Sequence, residues 1–231
     1  MTSQQQKQTT TSTTIIGFGS LMSVTSARTT FPNLYNFRIA TVTGYRRVFR
    51  HPAAIFFERG IANKSTLEIA SLCAEPSEDV SSSFEVVVFE VEQTKLEMDA
   101  FLKREEEFKI IQCPFIDEYK QEGMGLLCSA GSDEHFIENW GEEVFNSKYR
   151  THGLDTIWNW GPESGILPCA VYLRHCVLSV SKPEFPKRLK DSFLDETYLV
   201  DRVTTIREYL QKNANVMESL PPPSLVGRYS G

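Results

Sequence analysis

Two short stretches of this chain hold the residues best suited to chemistry. In the first, Ile15 and Ile16 run straight into Gly17-Phe18-Gly19-Ser20-Leu21-Met22, an apolar strand followed by a Gly-x-Gly-Ser turn. Glycines let the backbone take positive φ and come close to a ligand, and successive N–H groups in such a turn can form a concave anion site. In the second, Arg104-Glu105-Glu106-Glu107-Phe108 places three adjacent carboxylates at the end of an expected helix. Successive helical residues point about 100° apart, so no more than one or two of the three share a face with Phe101 and Leu102. A carboxylate turned toward that apolar side is a candidate general base, its pKa raised by burial and like charges and lowered by Lys103 or Arg104. The plainer readings are a tight turn for the first stretch and a solvated helix face for the second.

Other site types are poorly supported. There is no Gly-x-Ser-x-Gly elbow, no Walker loop and no His-Glu-x-x-His. His51, His135, His152 and His175 are scattered without metal-ligand spacing, so no metal is expected. Ser20 has no base paired with it in sequence, and Cys169 and Cys176, on one helical face, read as core residues. The basic run Arg46-Arg47-Val48-Phe49-Arg50 faces either an anionic ligand or solvent, and Trp158 and Trp160 read as packing or as a pocket wall.

The elements that would position these residues follow from periodicity and punctuation. Residues 1–13 are Gln/Thr-rich and nearly free of apolar side chains, and are expected to be a disordered tail. Ser23 to Asn36 reads as a loop with one helical turn, and Phe37 to Phe49 as a long strand broken at Gly44. Leu67 to Ala74 and Phe84 to Val91 read as strands, the second dense enough in Val86-Val87-Val88 to be central. Thr94 caps a helix with apolar positions Leu96, Met98, Phe101, Leu102 and Phe108. Two more strands are expected over Lys109–Ile116 and Gly125–Ser129, then a short helix around Glu134–Phe145 within an ordered loop. Helical spacing returns at Ala170, Leu173, Val177 and Val180, and again at Val203, Ile206 and Leu210. With strands in the first half and helices in the second, the class is α+β. The main domain is 14–215, with a helical extension from about 179, and 216–231 is an extended, proline-containing tail.

Composition narrows the partners. At 231 residues and 41% hydrophobic, the chain suits one well-packed domain. A net charge of −6, from 24 basic and 30 acidic residues, argues against nucleic acid or an anionic membrane as main partner and favours a small-molecule ligand. Five widely spaced cysteines without a Cys-x-x-Cys pair suit a reducing compartment. No window approaches the ~20 apolar residues of a membrane span, and the start lacks a signal-peptide core. A cytoplasmic location is the expectation, with an organelle transit peptide as the alternative suggested by the Ser/Thr-rich start. The sequence carries no signal for an oligomeric state.

Three segments, in this order, resemble the γ-glutamylcyclotransferase superfamily, most of all its ChaC-type branch. Gly17-Phe18-Gly19-Ser20-Leu21 is similar to the family's Tyr/Phe-Gly-Ser-Leu substrate loop, and Gly44-Tyr45-Arg46-Arg47-Val48-Phe49 to its Gly-aromatic-Arg-Arg strand. Phe101-Leu102-Lys103-Arg104-Glu105 is similar to the Leu-x-x-Arg-Glu segment that carries the family's catalytic base. Gly161-Pro162-Glu163-Ser164-Gly165 and then Tyr172-Leu173 look like the Gly-Pro-Ser-Gly and Tyr-Leu segment, with Glu163 as an extra residue. The resemblance spans about Ile15 to Leu178. It implies a mixed β-barrel with flanking helices and an enzyme that releases 5-oxoproline from a γ-glutamyl peptide such as glutathione, without a cofactor. Glu105 would then be the base, with Glu106 as alternative if the register shifts by one. Gly17, Phe18, Gly19, Ser20, Leu21, Arg46 and Tyr172 would bind substrate. The rival reading is a non-catalytic ligand-binding or interaction module on the same fold.

Overall fold

The computed structural model describes residues 12–92 and 94–231. Of the expected disordered tail, residues 1–11 lie outside the described residues, while Ser12 and Thr13 already belong to the first strand, β1 (Ser12–Gly17). The two halves of the expected broken strand are β2 (Tyr35–Thr43) and β3 (Tyr45–Pro52), parted at Gly44, whose φ of 82° is one that glycine adopts without strain. They are followed by β4 (Glu68–Pro76), β5 (Ser83–Glu92), β6 (Lys109–Asp117) and β7 (Glu122–Ser129). Two short strands, β8 (Leu167–Pro168) and β9 (Thr197–Tyr198), come later.

Five strands close on themselves. β1 pairs with β5, β5 with β2, β2 with β6 and β6 with β7, all antiparallel, and β7 returns to β1 in parallel through Ile15↔Leu126 and Ile16↔Leu127. From β7 the sheet runs on through β4, β3 and β9, and β8 lies along β4. The class is α+β, a mixed barrel with flanking helices. Val86, Val87, Val88 and Phe89 are all fully buried in β5, which explains why that strand lacks the alternation of a half-exposed one.

The helices α1 (Val24–Arg28), α2 (Ala54–Glu58), α3 (Lys95–Arg104), α4 (Asp133–Trp140), α5 (Glu142–Lys148), α6 (Ala170–Val180), α7 (Lys187–Asp195) and α8 (Ile206–Lys212) pack around this sheet. α3 is capped by Thr94, whose hydroxyl accepts the Glu97 N–H at 3.2 Å. It ends at Arg104, so the three glutamates lie in the turn beyond it and not on a helix face; Leu96, expected to be apolar and inward, is exposed. The helix expected around 134–145 is two helices, α4 and α5, split at Gly141 with φ 90°. The final segment is not extended. It folds back through short 3-10 turns at Ala214–Glu218 and Pro223–Leu225, burying Val216 and Tyr229. All five cysteines are buried and unpaired. Among the described residues no helix is long and apolar enough to cross a membrane.

Candidate functional site

β1 ends at Gly17, still paired with Val87 of β5, and the chain then enters a 3-10 turn at Ser20–Met22. Neither Gly17 nor Gly19 has positive φ, so the two glycines are there for space, not for left-handed backbone. A Cβ on Gly17 would meet the Leu21 Cβ at 2.8 Å and its backbone at 3.1 Å, and one on Gly19 would meet the Tyr172 hydroxyl at 2.6 Å. α6 brings that hydroxyl onto the turn, where it accepts the Ser20 N–H at 3.3 Å. The segment before α6 is placed by Gly165, whose left-handed φ of 68° closes a 3-10 turn at Pro162–Ser164.

The acidic turn faces the same space from the end of α3. Glu105 is the last residue tied to the helix, its N–H bonded to the Phe101 carbonyl at 2.9 Å. Two tryptophans then hold the turn by its carbonyls: the Trp140 indole donates to Glu106 O at 3.2 Å, and that of Trp158 to Glu107 O at 3.1 Å. The three carboxylates diverge. Glu105 is paired with Arg104 Nε at 3.0 Å, both side chains largely shielded. Glu106 is bound to the Lys148 ammonium. Glu107 is buried and accepts the Tyr149 hydroxyl at 2.9 Å and the Ala54 N–H at 3.3 Å.

Arg104 joins the two stretches. Its guanidinium donates to Ser20 Oγ at 3.0 Å, Ser26 O at 3.0 Å and Thr30 Oγ1 at 2.9 Å, and it carries Glu105 on its Nε. Ser20 is therefore held on both its N–H and its hydroxyl oxygen. Burial raises the pKa of Glu105, with Arg104 and Arg228 pulling against it. Burial, with Glu106 adding like charge, takes Glu107 up to about 7. Burial also pushes Tyr172 well above the ordinary phenol value, so its hydroxyl keeps its proton.

Between these parts lies a cavity of about 430 Å³. Phe18, Gly19, Ser20, Leu21, Glu105, Glu106 and Tyr172 all line it, whereas Gly17 lies beneath the turn. Arg46 is elsewhere: it points to the buried Glu75, at 2.8 Å, together with Arg50 and Arg202. Its neighbour Arg47 is on the opposite face of β3, fully buried between Phe84 and Phe193, where burial lowers its pKa to about 9. Sequence reasoning counted Glu107 among the three candidate carboxylates but missed the cavity residues Arg59, His175, Arg228 and Tyr229. The last two sit in the segment read as an extended tail, where no local signal marks a return to the cavity. Among the described residues no cluster of His, Cys, Asp and Glu could hold a metal ion.

Among the described residues, a closed α+β barrel carries this cavity at the end of β1. No protein-family model and no curated protein matches this chain. Solved structures that it is similar to include a γ-glutamyl cyclotransferase specific to glutathione from yeast, at 11% identity and TM-score 0.47 over 94% of this chain and 96% of that one. A second γ-glutamyl cyclotransferase is similar at 11% identity and TM-score 0.39, over 63% of this chain and 89% of that one. An uncharacterized human protein is similar at 12% identity and TM-score 0.41, over 66% of this chain and 95% of that one.

Proposed function

We propose that this protein is a γ-glutamylcyclotransferase, closest in its motifs to the ChaC type, which releases 5-oxoproline from γ-glutamyl peptides such as glutathione. The observation that carries the reading is the position of Glu105: a shielded carboxylate of raised pKa in the same cavity as the Gly19-Ser20-Leu21 turn and the Tyr172 hydroxyl.

The reaction asks little of the protein. The α-amine attacks the γ-carbonyl of its own residue, closing a five-membered ring as the γ-amide C–N bond breaks. Two protons leave the α-nitrogen and two arrive at the departing nitrogen, with Glu105 as carrier. Because nucleophile and electrophile are already tethered, the entropic cost of bringing them together is largely absent from the start, and the protein has only to hold the reactive conformer. Backbone N–H groups of the turn and the Tyr172 hydroxyl are suited to the developing oxyanion and the head group. Glu106, bound by Lys148, and Glu107, holding two donors in the core, are less free to accept a substrate proton.

The test is release of 5-oxoproline from glutathione and a panel of γ-glutamyl compounds. Glu105→Gln is expected to lower turnover about 10²–10⁴-fold, the span of general acid–base catalysis, while Glu106→Gln costs only a few-fold. The reverse order would move the base to Glu106. No 5-oxoproline from any compound would leave the non-catalytic binding module as the reading.

A further inference from the structure

The cations of the cavity are not all accounted for. Arg104 is paired with Glu105 and Lys148 with Glu106. Two further half-buried guanidiniums line the same cavity: Arg59, just past the end of α2, and Arg228, in the returning final segment. Among the described residues neither has an acidic partner within ion-pair distance. Arg59 instead donates to the Tyr229 hydroxyl at 2.6 Å, its guanidinium carbon 5.6 Å from the centre of that ring. Tyr229 is buried, so this bond pins the final segment and the arginine it carries against α2.

Like charges gathered in a partly dry cavity repel, and burial together with Arg59 and Arg104 lowers the pKa of Arg228. Such a cluster is relieved by an incoming anion, and a planar guanidinium suits a carboxylate, which it can hold with two parallel hydrogen bonds. The end of the cavity that holds Ser20 and Glu105 already has its own guanidinium in Arg104. Arg59 and Arg228 are the guanidiniums of the same cavity that no carboxylate pairs among the described residues, and Arg228 is near enough to Glu105 to lower its pKa. At about 430 Å³ the cavity lies in the range of sites that enclose a whole small ligand.

We propose that Arg59 and Arg228 form a subsite for a carboxylate on the leaving-group side of the substrate. This rests on the cyclotransferase reading and sharpens it: the chain takes γ-glutamyl amino acids and peptides, whose departing part bears a free carboxylate, in preference to γ-glutamyl amines. The segment outside the family resemblance thereby acquires a task, since it supplies Arg228 and the tyrosine that positions Arg59.

The experiment compares γ-glutamylglycine with γ-glutamylglycinamide, which differ only in that carboxylate. Binding is measured by calorimetry on the full chain carrying Glu105→Gln, and 5-oxoproline release on the chain with Glu105 intact. The acid is expected to bind about tenfold or more tighter than the amide, the size of a charge-assisted hydrogen bond. Arg228→Gln and Arg59→Gln should each weaken the acid far more than the amide, and Arg228→Lys should keep part of the preference. Amide binding by each variant shows that its cavity is intact. Equal binding of acid and amide overturns the proposal, as does a variant that weakens both alike, which would put the substrate's α-carboxylate on these arginines. Failure to bind either compound overturns it too. If the acid is preferred and the arginine variants abolish the preference, but no 5-oxoproline forms, the anion subsite stands and the cyclotransferase reading falls.

Discussion

The hydroxyl oxygen of Tyr172 lies 2.6 Å from where a Cβ on Gly19 would be. The tyrosine ring cannot simply retreat, because Phe49 and Phe56 pack against it with centroids 6.2 and 5.0 Å away. Gly19→Ala is expected to destabilise the fold by about 1–3 kcal/mol, the usual cost of overpacking. Tyr172→Phe removes the atom in conflict, so in the Gly19→Ala background it should restore part of that loss even though it costs stability alone. Urea midpoints for the two single variants and the double variant measure this coupling; simple additivity would mean the hydroxyl does not set the constraint.

Arg104 and Glu105 make a second prediction, in the pH dependence of kcat/KM. The base acts when deprotonated, so activity rises with pH through the pKa of Glu105, which burial holds above the ordinary glutamate value and Arg104 pulls back down. Arg104→Gln removes that pull, and the acid limb should move to higher pH. Arg104→Lys keeps a positive charge and should move it less, while both lose rate because Ser20, Ser26 and Thr30 lose their donor. An acid limb unmoved in Arg104→Gln would mean that another group limits the rate.

Glu75 is the acid that Arg46 serves. It is 4% exposed and binds Arg46, Arg50 and Arg202 at 2.8, 2.8 and 2.7 Å. Burial alone would raise its pKa, but Arg202 and Arg50 hold it below the ordinary value. Its contribution is therefore present above that ordinary value and is lost as pH falls through the lowered one. Glu75→Gln leaves three guanidiniums short of their charge partner and is expected to cost about 3–5 kcal/mol. Arg46→Met should lower the melting temperature while leaving the KM for a γ-glutamyl substrate unchanged; a raised KM would return Arg46 to the binding site.

Which of these relationships the sequence could reveal depended on their range along the chain. Local signals held: Thr94 caps α3, Gly44 parts β2 from β3, and the apolar density of β5 marks a strand buried on both faces. The helix end was misplaced because what holds the glutamates off the helix is distant, the indoles of Trp140 and Trp158 on their carbonyls. Strand alternation puts Arg46 and Arg47 on opposite faces. It cannot say that one finds Glu75, twenty-nine residues away, and the other Ser192, at separations of 29 and 145. The prolines of 221–223 suggested an extended end, since nothing local encodes the Tyr229–Arg59 bond that draws the segment onto the cavity. The Gly-x-Gly-Ser turn was legible as a turn, but its reason, the approach of Tyr172 from α6, was not.

Glu107 gives the last prediction, one of stability against pH. Its folded pKa is about 7 against an ordinary 4.5, so between those values the native state holds a proton that the unfolded chain has released. Stability from this group is highest below the unfolded value and falls as pH rises to the folded one, by about 3 kcal/mol at most. His51 and His175 pull the other way: burial lowers them to about 3 and about 4, so the unfolded chain gains protons first as pH falls below 6.5. The raw stability curve mixes these slopes, and the difference between the protein and Glu107→Gln isolates the one of interest. The glutamine keeps an oxygen to accept from Tyr149 and Ala54 but carries no charge into the core. Urea unfolding from pH 5 to pH 8 should find the variant no more stable than the parent at the acid end and progressively more stable toward the alkaline end. A difference that does not change with pH would mean that Glu107 keeps the same protonation state folded and unfolded.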